Sequence, residues 1–373
     1  MKYKKIFVLF IFLLSLGTNL CANYDFLSGQ ASGWGIGSYE NDEYSFNGGI
    51  RYIPRINFSQ NVWRDYKLAF DTSVNAYIIN ENYDLDLYRL QLSFLTTQFE
   101  SKIGLQQINF GPAQILRSLR WFDSVDTNDP LALTNGVWSF VNKYYFLNNA
   151  NIWVWGFYGN TDIKGYEALP TKSRYPEFGG RFQYPVFNSE IAATYHARKV
   201  DSNILIEDES LQTESDYWEN RFALDGRFDF TIGAWFELVL NSTKETTLFP
   251  YNFTKMLTLG GDYTFNVGQG IYFLLEHMFS YSSLDIFGFD LKNNISAYSI
   301  SYPIGIIDSI RTQGYYLHEQ RQYYQYLGWS RTYDNWIFDL SLFYLPSSDS
   351  SSLLTSNTAY SGLGLQLMII FNH

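Results

Sequence analysis

Polar and apolar residues alternate one by one along much of the chain, in runs bounded by turn residues. Tyr44, Phe46, Gly48, Ile50 and Tyr52 alternate with Ser45, Asn47, Gly49 and Arg51. Tyr66, Leu68, Phe70, Thr72 and Val74 share one face of the next run, with Asp65, Lys67, Asp71, Ser73 and Asn75 on the other. The pattern returns with Tyr88, Leu90, Leu92 and Phe94 against Arg89, Gln91 and Ser93. It returns again with Phe222, Leu224 and Phe228 against Arg221, Asp225 and Arg227, and with Trp336, Phe338, Leu340, Leu342 and Tyr344 against Asp339 and Ser341. A period of two is that of a β-strand. Rings and aliphatics on one face and charge on the other suit a wall with lipid outside and water inside, because unpaired charge in hydrocarbon is costly.

The final run alternates Leu363, Leu365, Leu367, Ile369 and Phe371 with Gly362, Gly364 and Gln366. It resembles the closing strand of outer-membrane barrels, which typically ends in an aromatic residue, although Asn372 and His373 follow here. With this strand running down to the periplasm, counting back places short periplasmic connections at 333–335, 302–306, 266–270, 229–233, 185–189, 147–151 and 96–98. Longer extracellular connections fall at 347–357, 281–293, 242–250, 199–217 and 159–177. The expected fold is all-β, a transmembrane antiparallel β-barrel of about 18 strands, with sixteen as the alternative because the hairpin near 318–322 is ambiguous. Strands begin near Gly29, which leaves no room for a large N-terminal plug, and no internal repeat or linker divides the barrel.

Composition supports this reading. Aromatic residues make up 19% of the chain, with 31 Tyr, 31 Phe and 10 Trp, while Pro numbers only 9. That is strand-forming material, and so many rings would be hard to bury in one soluble core. At the N-terminus, Lys2, Lys4 and Lys5 precede an apolar run from Ile6 to Leu14 and then Ser15, Gly17 and Thr18. This is the pattern of a secretory signal, expected to span residues 1–22 with cleavage after Ala22 and a single barrel domain over 23–373. Cys21 offers lipidation as the other reading. With cleavage after Ala22 the mature chain holds no cysteine, so disulfides and thiolate metal sites are excluded.

One connection stands apart, residues 109–135, NFGPAQILRSLRWFDSVDTNDPLALTN. Arg117 and Arg120 stand close before Asp123, Asp126 and Asp129, with Trp121 and Phe122 between them. Opposed charges with aromatic anchors suit a loop folded into the lumen as a pore constriction. The same Asp and Asn residues would also serve a surface loop as turn formers, and an acidic cluster could take calcium, though without regular ligand spacing. The segment Gly104-Leu105-Gln106-Gln107-Ile108-Asn109-Phe110-Gly111, followed by Arg117 and Trp121-Phe122-Asp123, resembles the motif of alginate-export-like barrels, over about twenty residues. The resemblance implies an eighteen-stranded, monomeric outer-membrane channel. Leu105 departs from it, standing where that family usually has Arg.

The net charge of −11 also argues against a polyanionic substrate, but local sign governs a pore. The presumed lumen faces carry Arg51, Lys67, Arg89, Lys102, Lys143, Arg181, Arg198, Arg221 and Arg227. These bases either favour anionic solutes or pair with Asp65, Asp71, Glu190 and Asp225 on neighbouring strands. Trp153, Trp155 and Phe157 suggest either a sugar-stacking track or, the preferred reading, interfacial girdle residues. His196, His277, His318 and His373 are isolated in sequence, with no His-x-x-x-His spacing and no Gly-x-Ser-x-Gly elbow, so the chain is not expected to be an enzyme. The expectation is therefore a porin-like outer-membrane channel for small hydrophilic solutes or an exported saccharide, with no cofactor and no metal. Its partners would be outer-membrane lipid, the barrel-assembly machinery and the solute, without nucleic acid. An outer-membrane barrel enzyme, or a barrel for adhesion or structural anchoring, is the alternative.

Overall fold

The computed structural model describes residues 26–63, 65–79, 82–125, 131, 133–202, 216–245, 250–346 and 361–373. The signal segment 1–22 lies outside the described residues. Alternating sequence runs become long wall strands: β1 (Leu27–Glu40), β2 (Glu43–Trp63), β3 (Tyr66–Ile79), β4 (Asn82–Leu95), β5 (Phe99–Gln106) and β6 (Val137–Tyr145). They continue as β7 (Asn151–Phe157), β8 (Glu177–Val186), β9 (Ser189–Val200), β10 (Tyr217–Asp229), β11 (Gly233–Ser242) and β12 (Phe253–Phe265). The ring is completed by β13 (Ile271–Ser283), β14 (Ile295–Ile304), β15 (Asp308–Leu317), β16 (Gln322–Tyr333), β17 (Trp336–Leu345) and β18 (Gly362–Asn372).

Each wall strand pairs antiparallel with the strands before and after it, and β18 pairs with β1 from Gln30↔Asn372 to Tyr39↔Leu363. Gly29 and His373 add two reciprocal main-chain bonds of 2.8 and 2.9 Å beside the seam. The result is a closed antiparallel barrel of eighteen strands, which excludes the sixteen-stranded alternative. Closure leaves no unpaired sheet edge, the condition a β-structure must meet in lipid. Two short pieces lie outside the ring proper. Leu291–Lys292 extends the end of β13, and a ribbon of Ser124–Val125 with Thr134–Asn135 sits in the connection between β5 and β6.

Turn chemistry separates the two ends. At the end carrying the termini, the connections run two to five residues, and all seven short connections expected from the sequence fall there. The longer ones, 107–136, 158–176, 201–216, 243–252 and 284–294, lie at the other end. Between β1 and β2, Asn41 and Asp42 both take positive φ, 49° and 65°, as a two-residue turn matching the strand twist requires.

The outer face is apolar: Tyr44, Phe46, Ile50, Leu259, Leu275, Leu342, Leu363 and Leu367 are exposed. Inward positions of these and neighbouring strands hold Arg51, Asp71, Ser73, Asn75, Glu276 and Gln366, all buried. Trp155 and Phe157 correct the girdle assignment. They point inward at 2% and 1% exposure, while Ile152 and Val154 face outward. The reason is that loop residues Phe110, Trp121 and Phe122 cover them.

Gly104 lies two residues before the end of β5, where the alternation of the wall breaks. Its φ is +124°, and a Cβ there would lie 2.0 Å from the Leu90 carbonyl oxygen. Beyond it, Leu105 and Gln106 are both buried, at 8% and 2% exposure, and after Gln106 the chain leaves the wall and turns inward. Replacing Gly104 with Val is expected to destabilise the barrel by about 1–3 kcal/mol. A lower urea midpoint of tryptophan fluorescence checks this, with Gly37→Ala, where a Cβ meets nothing within 4 Å, as the neutral control.

Candidate channel constriction

The connection 107–136 starts on β5 and returns on β6, yet its middle is bonded to β11, β12 and β13, six to eight strands round the ring. Two wall carboxylates hold it there. Glu237 of β11 accepts the main-chain N–H of Ala113 through Oε1 (3.0 Å) and that of Leu119 through Oε2 (2.9 Å). Glu276 of β13 accepts Gln114 N–H at Oε1 (2.7 Å), and Ile115 and Leu116 N–H at Oε2 (2.9 and 2.5 Å). Trp235 adds its indole N–H to Glu276 Oε1 at 3.0 Å. Between the two acids, Ser118 bonds Thr258 of β12 at 2.7 Å, and Thr258 in turn donates to Leu116 O at 2.8 Å. Glu237, Thr258, Glu276 and Ser118 are all fully buried. A loop with no regular structure of its own has unpaired amides, and a carboxylate offers several acceptor sites on two oxygens. Each requirement satisfies the other.

Apolar packing completes the seating on both sides of the loop. Phe110, Leu119, Trp121 and Phe122 pack on Val141, Trp155, Phe157, Val239 and Met256. On the other side Leu116 and Ile115 meet Trp34, Met278, Ile295, Leu317, Tyr324 and Phe343. The inward positions of β13–β17 are thus apolar near the long-loop end. Toward the termini the same faces turn polar, with Ser299, Ser301, Arg311, Gln313, Ser330, Asp339 and Ser341.

A second loop, 158–176, closes over the first. Gly165 N–H donates to Asp123 O at 2.7 Å, and a Cβ on Gly165 would lie 1.6 Å from Arg120 O. Lys164 bonds Glu177 (3.2 Å) and Thr171 (3.3 Å), and Arg221 bonds Glu167 (2.8 Å). Arg198 grips Glu219 with two bonds, 3.0 and 2.8 Å, and donates to Leu169 O at 2.8 Å. His196 accepts the Trp155 indole N–H at Nδ1 (3.2 Å), so Nε2 carries the proton that faces Glu177 at 3.1 Å. Three cations here face three carboxylates, which lets such charge be buried at all. In the loop itself, burial pushes the Tyr166 phenol up, and the Asp216 carboxylate holds the Lys172 ammonium above the usual lysine range.

The residues expected in the constriction fall into distinct places. Arg117 pairs with Asp123 at 2.5 Å within the loop. Arg120 is half-buried beneath Gly165. Trp121 and Phe122, each 2% exposed, are packing anchors and not surfaces of an open passage. Asp126 and Asp129 lie outside the described residues. Of the basic wall residues, Arg181 pairs with Asp225 (2.6 and 2.7 Å), and Arg198 and Arg221 join the buried network. Arg227 pairs with Asp229 and Asp262, Lys102 with Glu100, and Lys143 lies over the Trp153 ring at 3.7 Å. Arg89 bonds Thr134 O at 2.8 Å. Arg51 is buried beside Trp34 and Tyr77, and Lys67 is exposed near the termini. Of the acids expected to pair with them, Asp71 binds Arg55 and Asp225 binds Arg181, whereas Glu190 bonds Gln183.

No family profile matches the chain, and no curated protein matches it. Solved structures share its fold. The chain is similar to OccK8 (OprE) of Pseudomonas aeruginosa, at 8% identity over 93% of this chain and 97% of that one, TM-score 0.59. Wzi of Escherichia coli, an outer-membrane protein involved in group 1 capsule assembly and described as a carbohydrate-binding β-barrel, matches at 12% identity over 92% and 84%, TM-score 0.57. OmpF of Salmonella typhi matches at 11% identity over 93% and 97%, TM-score 0.54. The fold is therefore that of outer-membrane porins and related barrels.

Removing Glu276 to leave Ala would strand three loop amides and an indole N–H, each costing about 1–3 kcal/mol if unsatisfied. Hydrogen exchange at residues 113–119 is expected to quicken about 10- to 100-fold in Glu276→Ala, and less in Glu276→Gln, which keeps one carbonyl oxygen. Mass spectrometry of loop peptides reads the difference.

Proposed function

We propose that this chain is an outer-membrane channel for passive or facilitated passage of small hydrophilic solutes or an exported saccharide, narrowed by the loop at 109–135. The outward apolar belt against inward charge, and the fold it shares with porins, support insertion in the bacterial outer membrane. In that setting the short-turn end is periplasmic and the long-loop end extracellular. The observation that carries the reading is the loop held in the lumen by Glu237 and Glu276. A structural or adhesive barrel has no need of a main-chain segment bonded to the inside of its far wall.

The arrangement sets a mechanism. A solute entering from the periplasmic end meets polar walls, with Arg311, Gln313, Asp339 and Ser341 among them. It then reaches the level of Ile115 and Leu116, where the lumen is packed with apolar side chains. Passage is governed there by the position of the loop, since an apolar constriction resists water and ions until it widens. The paired state of Arg181, Arg198, Arg221 and Arg227 leaves little free positive charge on that half of the wall, so those residues serve the loops more than solute selection.

In planar bilayers, the folded wild type is expected to show discrete conductance steps that grow when residues 112–129 are deleted. Reversal potentials in a salt gradient then give the sign of the selected ion. A folded barrel that conducts in neither form would overturn the channel reading.

A further inference from the structure

On the outer wall near the extracellular rim, Ser296 stands between two imidazoles. Ser296 Oγ is 2.8 Å from His277 Nδ1 and 2.8 Å from His318 Nε2. The three come from different elements: His277 faces Ser296 across the β13–β14 pairing, and His318 follows the end of β15, which pairs with β14. All three point away from the lumen. Their strand neighbours Glu276, Met278, Ile295, Ala297 and Leu317 are the buried, inward residues. The geometry points to a serine nucleophile with a histidine base, a second activity independent of the channel: hydrolysis of acyl esters in the outer leaflet.

The site is held in shape by the main chain. His318 N–H donates to Asn294 O at 3.0 Å, and Asn294 N–H donates to Glu319 Oε2 at 2.6 Å. These bonds tie the β15–β16 hairpin to the strand start two residues before Ser296 and hold the His318 main chain beside it. Tyr316 and Phe279 stack edge-on against His318 and His277, with centroids 4.9 and 4.2 Å apart. A nucleophile and base within hydrogen-bond reach is the minimal arrangement for acyl transfer. The adjacent strip on β14–β16 differs, because Gln325 there is used up internally, accepting from Tyr298 (2.7 Å) and Tyr323 and donating to Tyr326 O (2.9 Å) and Thr312.

Position names the substrate class. Four residues above His277 along β13, about 13 Å away, Tyr281 pairs with Lys255, whose ammonium is held by Ser283 Oγ and Ile286 O, and with Lys292, whose exposed side chain supplies a cation at headgroup height. Below His277, Leu275 is exposed at 52% to the hydrocarbon side. Ser296 lies between these levels, where an acyl chain meets its polar head. In the reaction, Ser296 Oγ attacks the ester carbonyl as His318 Nε2 takes its proton, and His277 Nδ1–H is the donor nearest the oxyanion. Collapse breaks the ester C–O bond, and the leaving alcohol takes the proton from His318. Water then attacks the acyl-serine with His318 again as base, releasing the fatty acid and restoring Ser296.

The test uses the full folded protein in detergent micelles, with a fluorophosphonate probe and p-nitrophenyl decanoate. Expected are labelling at Ser296, located by peptide mass spectrometry, and ester cleavage that Ser296→Ala lowers by on the order of 1000-fold and His318→Asn by about 100-fold. Both variants should keep wild-type conductance steps and the gel mobility of a folded barrel, which separates loss of this site from loss of the channel. Absence of labelling and cleavage in a folded wild type, or cleavage that survives Ser296→Ala, overturns the proposal.

Discussion

A carboxylate buried in protein must be met by donors, and a chain without regular structure must find acceptors for its amides. In this barrel the two demands meet at Glu237 and Glu276. Neither acid could remain in its strand without the loop, since an unpaired buried charge is strongly destabilising. Nor could the loop lie in the lumen without them, since its N–H groups would be unpaired away from water. Five main-chain bonds settle both, and the apolar packing around Leu116, Leu119, Trp121 and Phe122 follows from the position those bonds impose.

The wall obeys a different rule. The ring closes through β18 and β1, so no wall strand is left with an unpaired edge. Because side chains alternate, every apolar residue placed outward fixes its neighbours inward. The lumen therefore has to accommodate charge at nearly every strand. It does so by pairing: Arg55 with Asp71, Arg181 with Asp225, and Lys164, Arg198 and Arg221 with Glu167, Glu177 and Glu219. Loop 158–176 belongs to this scheme, since Lys164 and Glu167 come from it and the wall supplies the rest.

The barrel was legible in the sequence because alternation is local: Tyr44 to Tyr52 or Leu363 to Phe371 announce their faces without reference to any other strand. The short connections at the end carrying the termini followed from counting such runs. The loop was marked by its length and by Arg117 and Asp123, yet what holds it was not visible. Glu237 and Glu276 are 118 to 162 residues from the amides they cap, and the signal in the sequence is a lone acid in each of two apolar runs, among Trp235, Phe236, Leu238 and Val239 and among Leu274, Leu275 and Met278. Trp155 and Phe157 read as girdle residues because a ring facing lipid and a ring covered by a loop look alike in one dimension. His277 and His318 seemed isolated for the same reason: strand pairing, not spacing, brings them to Ser296.

The sequence separation of the latch has a temporal side. Strands β1–β5 and the whole loop precede β11 and β13 in the chain, so the amides of residues 113–119 exist before the carboxylates that receive them can take their places across the ring. Docking therefore requires the curved sheet to have brought β5 within a loop's reach of β13. Until then Leu116 is without its covering from Met278, Ile295 and Leu317. The loop thus records, by its own order, whether the downstream half of the barrel has arrived.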